Sequence, residues 1–265
     1  MRSSFKDGQT RRSVLSGCAC SLTMLLPTPL CADSDRGCLT ASIEEEGQSS
    51  PASAQSANAR IVSVIGSRLL SVLGEAAPTF DYEFKLGRFS PSASPDCLNT
   101  RATIRFPANL VSELGSGEAV TYVLGHEIAH VAQYVASSNL KRQICQGRSV
   151  DVRTYELMAD AISGWCYRIL FPGATSDIVL STISKLSDYE FSNAAHHGTV
   201  TERISAFNLG TSASDKRMRL SVVNLVNNIA LFEEAIFPSR QIESFNSAQD
   251  KRDYYLRRLF VSPRS

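Results

Sequence analysis

The chain has 265 residues, with 27 Lys or Arg and 26 Asp or Glu, so its formal net charge is +1. Its basic residues are spread along the chain, which argues against a nucleic-acid-binding surface. No internal repeat is present, and no stretch after Leu30 is apolar for long enough to predict a transmembrane helix in the mature protein. The length is sufficient for one sizeable core.

The first segment predicts export. Two adjacent arginines precede a mostly apolar run from Val14 to Leu30, as in a twin-arginine signal, and Ala32 is acceptable before a signal-peptidase cut. Residues 1–32 are therefore predicted to be an export signal and the mature protein to be periplasmic. An ordinary secretory signal is the alternative. A lipoprotein-like box ends at Cys18, but it follows the arginines too closely to favour lipid anchoring.

Beyond the signal, residues 33–57 are rich in Ser, Ala, Gln and Glu, which predicts a disordered linker. The remainder, 58–265, is predicted to be a single domain whose first helix is capped by Asn58. Four cysteines follow the signal, and in an oxidising compartment they allow two disulfides, with three pairings open. They are Cys38, Cys97, Cys145 and Cys166.

Two segments predict strands. Aromatic and charged residues alternate over 80–84, and the segment 102–107 also has the composition of a strand. Pro91 and Pro95 lie between them and mark a loop. Because proline cannot donate a hydrogen bond to a neighbouring strand, Pro107 confines the second strand to a sheet edge or marks the end of that strand.

The most informative segment reads H-E-x-x-H at 126–130, within apolar residues at helical spacing. This spacing predicts a helix from about 117 to 137. On that helix His126 and His130 project from one face, one turn apart, so both imidazoles can bind one Zn²⁺, and Glu127 lies close enough to accept a proton from a water. The alternative is a buried helix whose histidines only pack, but that would bury charge without compensation.

A third ligand is predicted from another helical stretch, about 149 to 171. A catalytic zinc site has three protein ligands and one open position. Glu156 and Asp160 are four residues apart and so face the same way. Glu156 is the candidate ligand, and Asp160 is the candidate carboxylate that orients a ligand histidine through its free ring N–H. Two ordinary surface acids are the alternative.

The other two histidines, His196 and His197, precede a capping-box pattern at 199–202, which predicts a helix that ends at Gly210. A positive or hydrogen-bonding group near a metal can stabilise the oxyanion formed when water attacks a carbonyl. His197 and Arg203 are the candidates for this role. His196 is an alternative fourth ligand.

Further helices are predicted near 175–187, within the amphipathic segment 215–237 and near 247–260. Together with the two strands, these elements predict a mainly helical α+β fold.

Three blocks occur in one order in this chain: HEIAHVAQ, ELMAD and HGTVTER. They resemble the bacterial neutral zinc metallopeptidases and, more distantly, the membrane-linked and periplasmic gluzincin-like metallopeptidases. The resemblance covers roughly residues 100 to 210 and implies a zincin-like domain in which a small sheet lies over the H-E-x-x-H helix. Matched residue by residue, it implies one Zn²⁺ per chain with ligands His126, His130 and Glu156, the base Glu127, the supporting carboxylate Asp160, and His197 and Arg203 near the substrate.

The resemblance implies a zinc-dependent endopeptidase of the cell envelope that acts on protein or peptide substrates. In such peptidases an edge strand often pairs with extended substrate, and we assign Arg101–Pro107 to that role by hypothesis. The alternative is a strand that only covers the helix. Two other functions stay open. One is a zinc-containing envelope binding or assembly protein with a vestigial peptidase site, and the other is a zinc hydrolase acting on a non-peptide amide or ester.

Overall fold

The computed structural model describes residues 52–262 except 75–76, 86–89, 100, 108, 149, 151, 187–196 and 238–244. The predicted export signal, most of the predicted linker, Cys38 and His196 lie outside the described residues.

The described part of the chain contains ten helices and three short strands, so the fold is mainly helical α+β, as predicted. Within that part, no helix combines the length and apolar character needed to cross a bilayer. The elements in chain order are α1 (Ala52–Leu73), β1 (Asp81–Lys85), β2 (Ser92–Pro95), β3 (Ala102–Pro107), α2 (Leu110–Leu114), α3 (Gly117–Ala136), α4 (Ser138–Cys145), α5 (Val152–Leu170), α6 (Asp177–Leu186), α7 (Val200–Asp215), α8 (Val222–Asn227), α9 (Ile229–Ile236) and α10 (Ala248–Leu259).

Helix α3 lies at the centre of the fold. It begins after Ser116, whose side chain accepts a hydrogen bond from the backbone N–H of Ala119 at 3.0 Å, and it ends one residue before the predicted limit. All residues from 119 to 133 are buried. A helix buried on every side lies inside the molecule, and α3 packs against α5, α1 and β2. The H-E-x-x-H side chains therefore lie in the interior.

Helices α5 and α7 make the closest helix contact. A Cβ on Gly210 would lie 1.8 Å from the carbonyl oxygen of Ala161, and one on Gly164 would lie 2.3 Å from that of Phe207, so the two backbones touch at both points. The prediction that Gly210 ends its helix is wrong, because α7 continues to Asp215. This glycine serves a close backbone approach inside the helix and not a helix end.

The three strands form one sheet in the order β1-β3-β2, with β3 parallel to β1 and antiparallel to β2. The hypothesis that Arg101–Pro107 is an edge strand available to substrate is therefore wrong, because β3 is central and both its sides are paired. Pro107 is tolerated because it is the last residue of the strand, which is the other position open to a proline.

Strand β2 was not predicted, since Pro91 and Pro95 indicated a loop. It is an edge strand, where a missing N–H is tolerated. It lies against α3, and the hydroxyl of Tyr134 donates to the carbonyl oxygen of Ala93 at 3.1 Å. The small sheet is thus attached directly to the helix that carries the two motif histidines.

Helix α1 begins at Ala52, six residues before the predicted cap Asn58, and so includes the end of the segment predicted as linker. Beyond the sheet, Cys97 forms a disulfide with Cys145, the last residue of α4, with the two Cα atoms 5.6 Å apart. Cys166 is buried in α5 as a free thiol. One of the two disulfides that the sequence allows is therefore formed among the described residues.

Candidate metal centre

His126 and His130 on α3 meet Glu156 of α5 where the two helices pack. The Glu156 carboxylate oxygens lie 3.0 Å from Nε2 of His126 and 3.3 Å from Nε2 of His130, and the two Nε2 atoms are 3.1 Å apart. Ligands at about 2.1 Å around a tetrahedral ion stand about 3.4 Å from one another. The three buried side chains can therefore hold one metal ion.

The second ring nitrogens of both histidines face oxygen atoms. Nδ1 of His126 is 2.8 Å from Oδ1 of Asp160, and Nδ1 of His130 is 3.1 Å from Oε1 of Gln133. Each Nδ1 donates to an acceptor, so in the neutral rings each Nε2 presents a lone pair to the other histidine and to Glu156. Three acceptors at such short range repel one another unless protons or a cation lie between them. Two imidazoles and a carboxylate are a ligand set that fits a zinc ion, and Asp160 and Gln133 orient the two rings by accepting their Nδ1 hydrogens.

The charges around the cluster favour protonated imidazoles when no cation is bound. Burial by itself lowers the pKa of His126. The Asp160 and Glu156 carboxylates outweigh this effect and raise the pKa to about 10. Burial also lowers the pKa of His130, and Glu156 reverses this shift to give a raised value. Burial raises the pKa of Glu156, but the charges of His130 and His197 bring it well below its usual value. Binding of a metal ion by these side chains would displace the imidazole protons and release them to the solvent.

Asp160 is a fully buried carboxylate held by three side chains. Arg203 donates from Nε to Oδ2 at 2.8 Å and from Nη2 to Oδ1 at 3.0 Å, and the hydroxyl of Tyr122 donates to Oδ1 at 2.6 Å. Burial raises the pKa of Asp160, but Arg203 and His126 lower it to about 2. The carboxylate is therefore ionised where it receives the Nδ1 hydrogen of His126, as its predicted supporting role requires.

Arg203 lies beside Asp160, which in turn contacts His126. Its guanidinium binds Asp160, the hydroxyl of Tyr122 at 2.9 Å and the carbonyl oxygen of Leu186 at 3.3 Å, and its side chain is 2% exposed. The planar fork of a guanidinium matches the two oxygens of a carboxylate. The contacts therefore assign Arg203 to holding Asp160. Its expected direct role at the oxyanion stays a prediction.

Glu127 and His197 are both buried within electrostatic reach of the cluster. The charge of Glu127 acts on the ring of His130, and that of His197 acts on Glu156. His196 lies outside the described residues, so its alternative role as fourth ligand stays a prediction.

The residue after His197 is a glycine for steric reasons. Gly198 has a φ of +101°, which L side chains rarely adopt, and an added Cβ would lie 2.8 Å from the Leu157 side chain. The chain then enters α7 through the capping box of Thr199 and Glu202, as predicted. This turn brings His197 close to Glu156.

Sequence reasoning missed two residues of this centre. Tyr122 lies four positions before His126 on α3, and Gln133 lies three positions after His130. Residues at these spacings share the helix face of the ligands, so the spacing was a signal available for both.

No family model, no curated protein and no solved structure matches this chain. The geometry alone indicates that the three ligand side chains can hold a metal ion, with a buried carboxylate beside them.

Proposed function

We propose that the protein is a zinc-dependent endopeptidase of the cell envelope with a zincin-like domain. The observation that carries the proposal is the convergence of His126, His130 and Glu156 in a buried cluster, with the buried Glu127 acting electrostatically on His130. Three protein ligands leave one position for water or substrate, which is typical of catalytic zinc sites. The three sequence blocks that resemble bacterial neutral zinc metallopeptidases support the same reaction. The export-like first segment and the Cys97–Cys145 disulfide support an oxidising compartment.

Three side chains beyond the ligands have a part in the proposed reaction. When bound, Zn²⁺ supplies Lewis-acid polarisation and lowers the pKa of water in the site towards about 7. Glu127 accepts a proton from the attacking water and delivers it to the leaving amine. Asp160 keeps the ring of His126 oriented by accepting its Nδ1 hydrogen. His197, close to Glu156, is the side chain we assign to the oxyanion.

Replacing Glu127 by glutamine tests the proposal. The variant keeps the volume of the side chain but cannot accept the proton, so we expect it to retain zinc and to lose about 10²–10⁴-fold in peptide hydrolysis. Metal content by atomic emission and hydrolysis of casein, with and without chelator, are the two measurements. Glu113→Gln makes the same chemical change on an exposed face of α2 and should match the wild type.

Two companion variants separate binding from turnover. Glu156→Ala removes a ligand, so we expect zinc to be lost on dialysis, whereas His197→Ala should keep the metal and lower turnover. Near-parental hydrolysis by Glu127→Gln would reject its role as the base. A wild-type chain that binds zinc but cleaves neither casein nor a peptide library would favour the envelope binding or assembly protein with a vestigial site.

A further inference from the structure

Gln133 connects the two helices of the metal centre. Its side chain is fully buried, and its Oε1 lies 3.1 Å from Nδ1 of His130. Its Nε2 donates to the backbone carbonyl of Tyr155 at 2.8 Å. Tyr155 directly precedes Glu156 on α5. A single amide therefore joins a ligand histidine of one helix to the backbone beside the ligand carboxylate of the other.

The orientation of this amide follows from the Tyr155 carbonyl. A backbone carbonyl only accepts hydrogen bonds, so the NH₂ group of Gln133 faces it and Oε1 faces His130. An oxygen in that position is satisfied only when Nδ1 of His130 carries a hydrogen. The lone pair of the neutral ring is then on Nε2, which is 3.3 Å from Oε1 of Glu156.

The two ligand histidines are held by different chemistry. His126 donates to Asp160, whose charge is matched by Arg203, whereas His130 donates to a neutral amide. A carboxylate in place of Gln133 would still accept from His130, but it would face the Tyr155 carbonyl with no hydrogen to share. An amide accepts on one side and donates on the other, which both contacts require.

We propose that Gln133 is a positioning residue. The backbone carbonyl of Tyr155 fixes the orientation of its amide, and the amide oxygen accepts the Nδ1 hydrogen of His130, which makes Nε2 the metal-binding atom. The same link holds His130 and Glu156 in register across the two helices. This inference rests on the proposed function of the site as a zinc centre. Outer partners of metal-bound histidines typically contribute 10–100-fold in affinity, so the effect is measurable without any assay of activity.

Zinc dissociation constants of the full chain, obtained by competition with a chelator, test this role. Gln133→Leu removes both hydrogen bonds, and we expect it to weaken zinc binding by about 10–100-fold. Gln133→Glu keeps an oxygen towards His130 and should recover part of that loss. Gln249→Leu removes an exposed amide that bonds Asp253 within α10 and should bind zinc like the wild type.

The outcomes separate this inference from the proposed function. If the wild type binds zinc and Gln133→Leu binds it with the same affinity, the role of Gln133 is overturned and the metal centre stands. The same conclusion follows if Gln133→Glu binds zinc no more tightly than Gln133→Leu. A wild-type chain that binds no zinc would refute the metal centre, and the role of Gln133 with it.

A spectroscopic measurement keeps the inference testable even when Gln133→Leu does not fold. The chain has four histidines, so nitrogen-15 NMR of the zinc-loaded wild type can resolve each imidazole. We expect His130 to carry hydrogen on Nδ1 and metal on Nε2. The reverse arrangement would overturn the proposal.

Discussion

Replacing Arg203 by methionine removes the charge that balances Asp160. Both side chains are buried, at 2% and 0% exposure, and Arg203 makes two hydrogen bonds to the carboxylate. Removing one partner of a buried ion pair leaves the other charge uncompensated and costs about 3–5 kcal/mol. For a domain of this size that corresponds to a melting temperature lower by about 6–20 °C. The cost does not exceed this range because Tyr122 and His126 still donate hydrogen bonds to the Asp160 carboxylate when Arg203 is replaced.

Urea unfolding followed by far-ultraviolet circular dichroism measures this cost, with chelator present so that bound metal adds nothing to stability. Arg101→Met is the matched control, because Arg101 pairs with Asp81 at 3.6 Å with both side chains more than half exposed, and such pairs contribute about 0–1 kcal/mol. Combining Arg203→Met with Asp160→Asn removes the orphaned charge and should recover part of the loss. If Arg203→Met is no more destabilising than Arg101→Met, the assignment of Arg203 to holding a buried anion is refuted.

Three further predictions concern helix packing and cysteine chemistry. Gly210→Ala forces α5 and α7 apart, so we expect a loss of about 1–3 kcal/mol in the free energy of unfolding, whereas Gly117→Ala adds a methyl into open space and should cost nothing. Equal stability of the two variants would contradict the close helix contact. Reducing the Cys97–Cys145 disulfide, which spans 48 residues, should lower stability by about 4 kcal/mol in denaturation with and without reductant. Burial raises the pKa of Cys166 to about 12, so mass spectrometry should find that thiol alkylated only after unfolding.

Helical periodicity predicted the elements that carry the candidate site. The predicted spans 117–137 and 149–171 correspond to Gly117–Ala136 and Val152–Leu170, because long runs of apolar residues at helical spacing mark helices locally. The convergence of His126, His130 and Glu156 was also predicted, since the chemistry of a catalytic zinc site requires a third ligand.

What the sequence did not reveal depends on contacts between distant segments. The central place of β3 depends on its pairing with β2, and the two prolines at 91 and 95 predicted a loop where β2 lies. The place of Gly210 inside a helix depends on the approach of α5. The link from Arg203 to Asp160 joins residues 43 positions apart, and no local pattern distinguishes it from a contact with substrate.

The touching backbones of α5 and α7 have a consequence for protein design. Asp160 stands on one of these helices and its arginine partner on the other, so the separation of the two axes decides whether the pair can form. Transplanting H-E-x-x-H, the third acid and Asp160 onto two helices of a new scaffold would reproduce the ligands and their supporting carboxylate, but it would leave Asp160 buried without its arginine. A successful graft would have to carry three helices, together with the two positions where the absence of a side chain lets them meet.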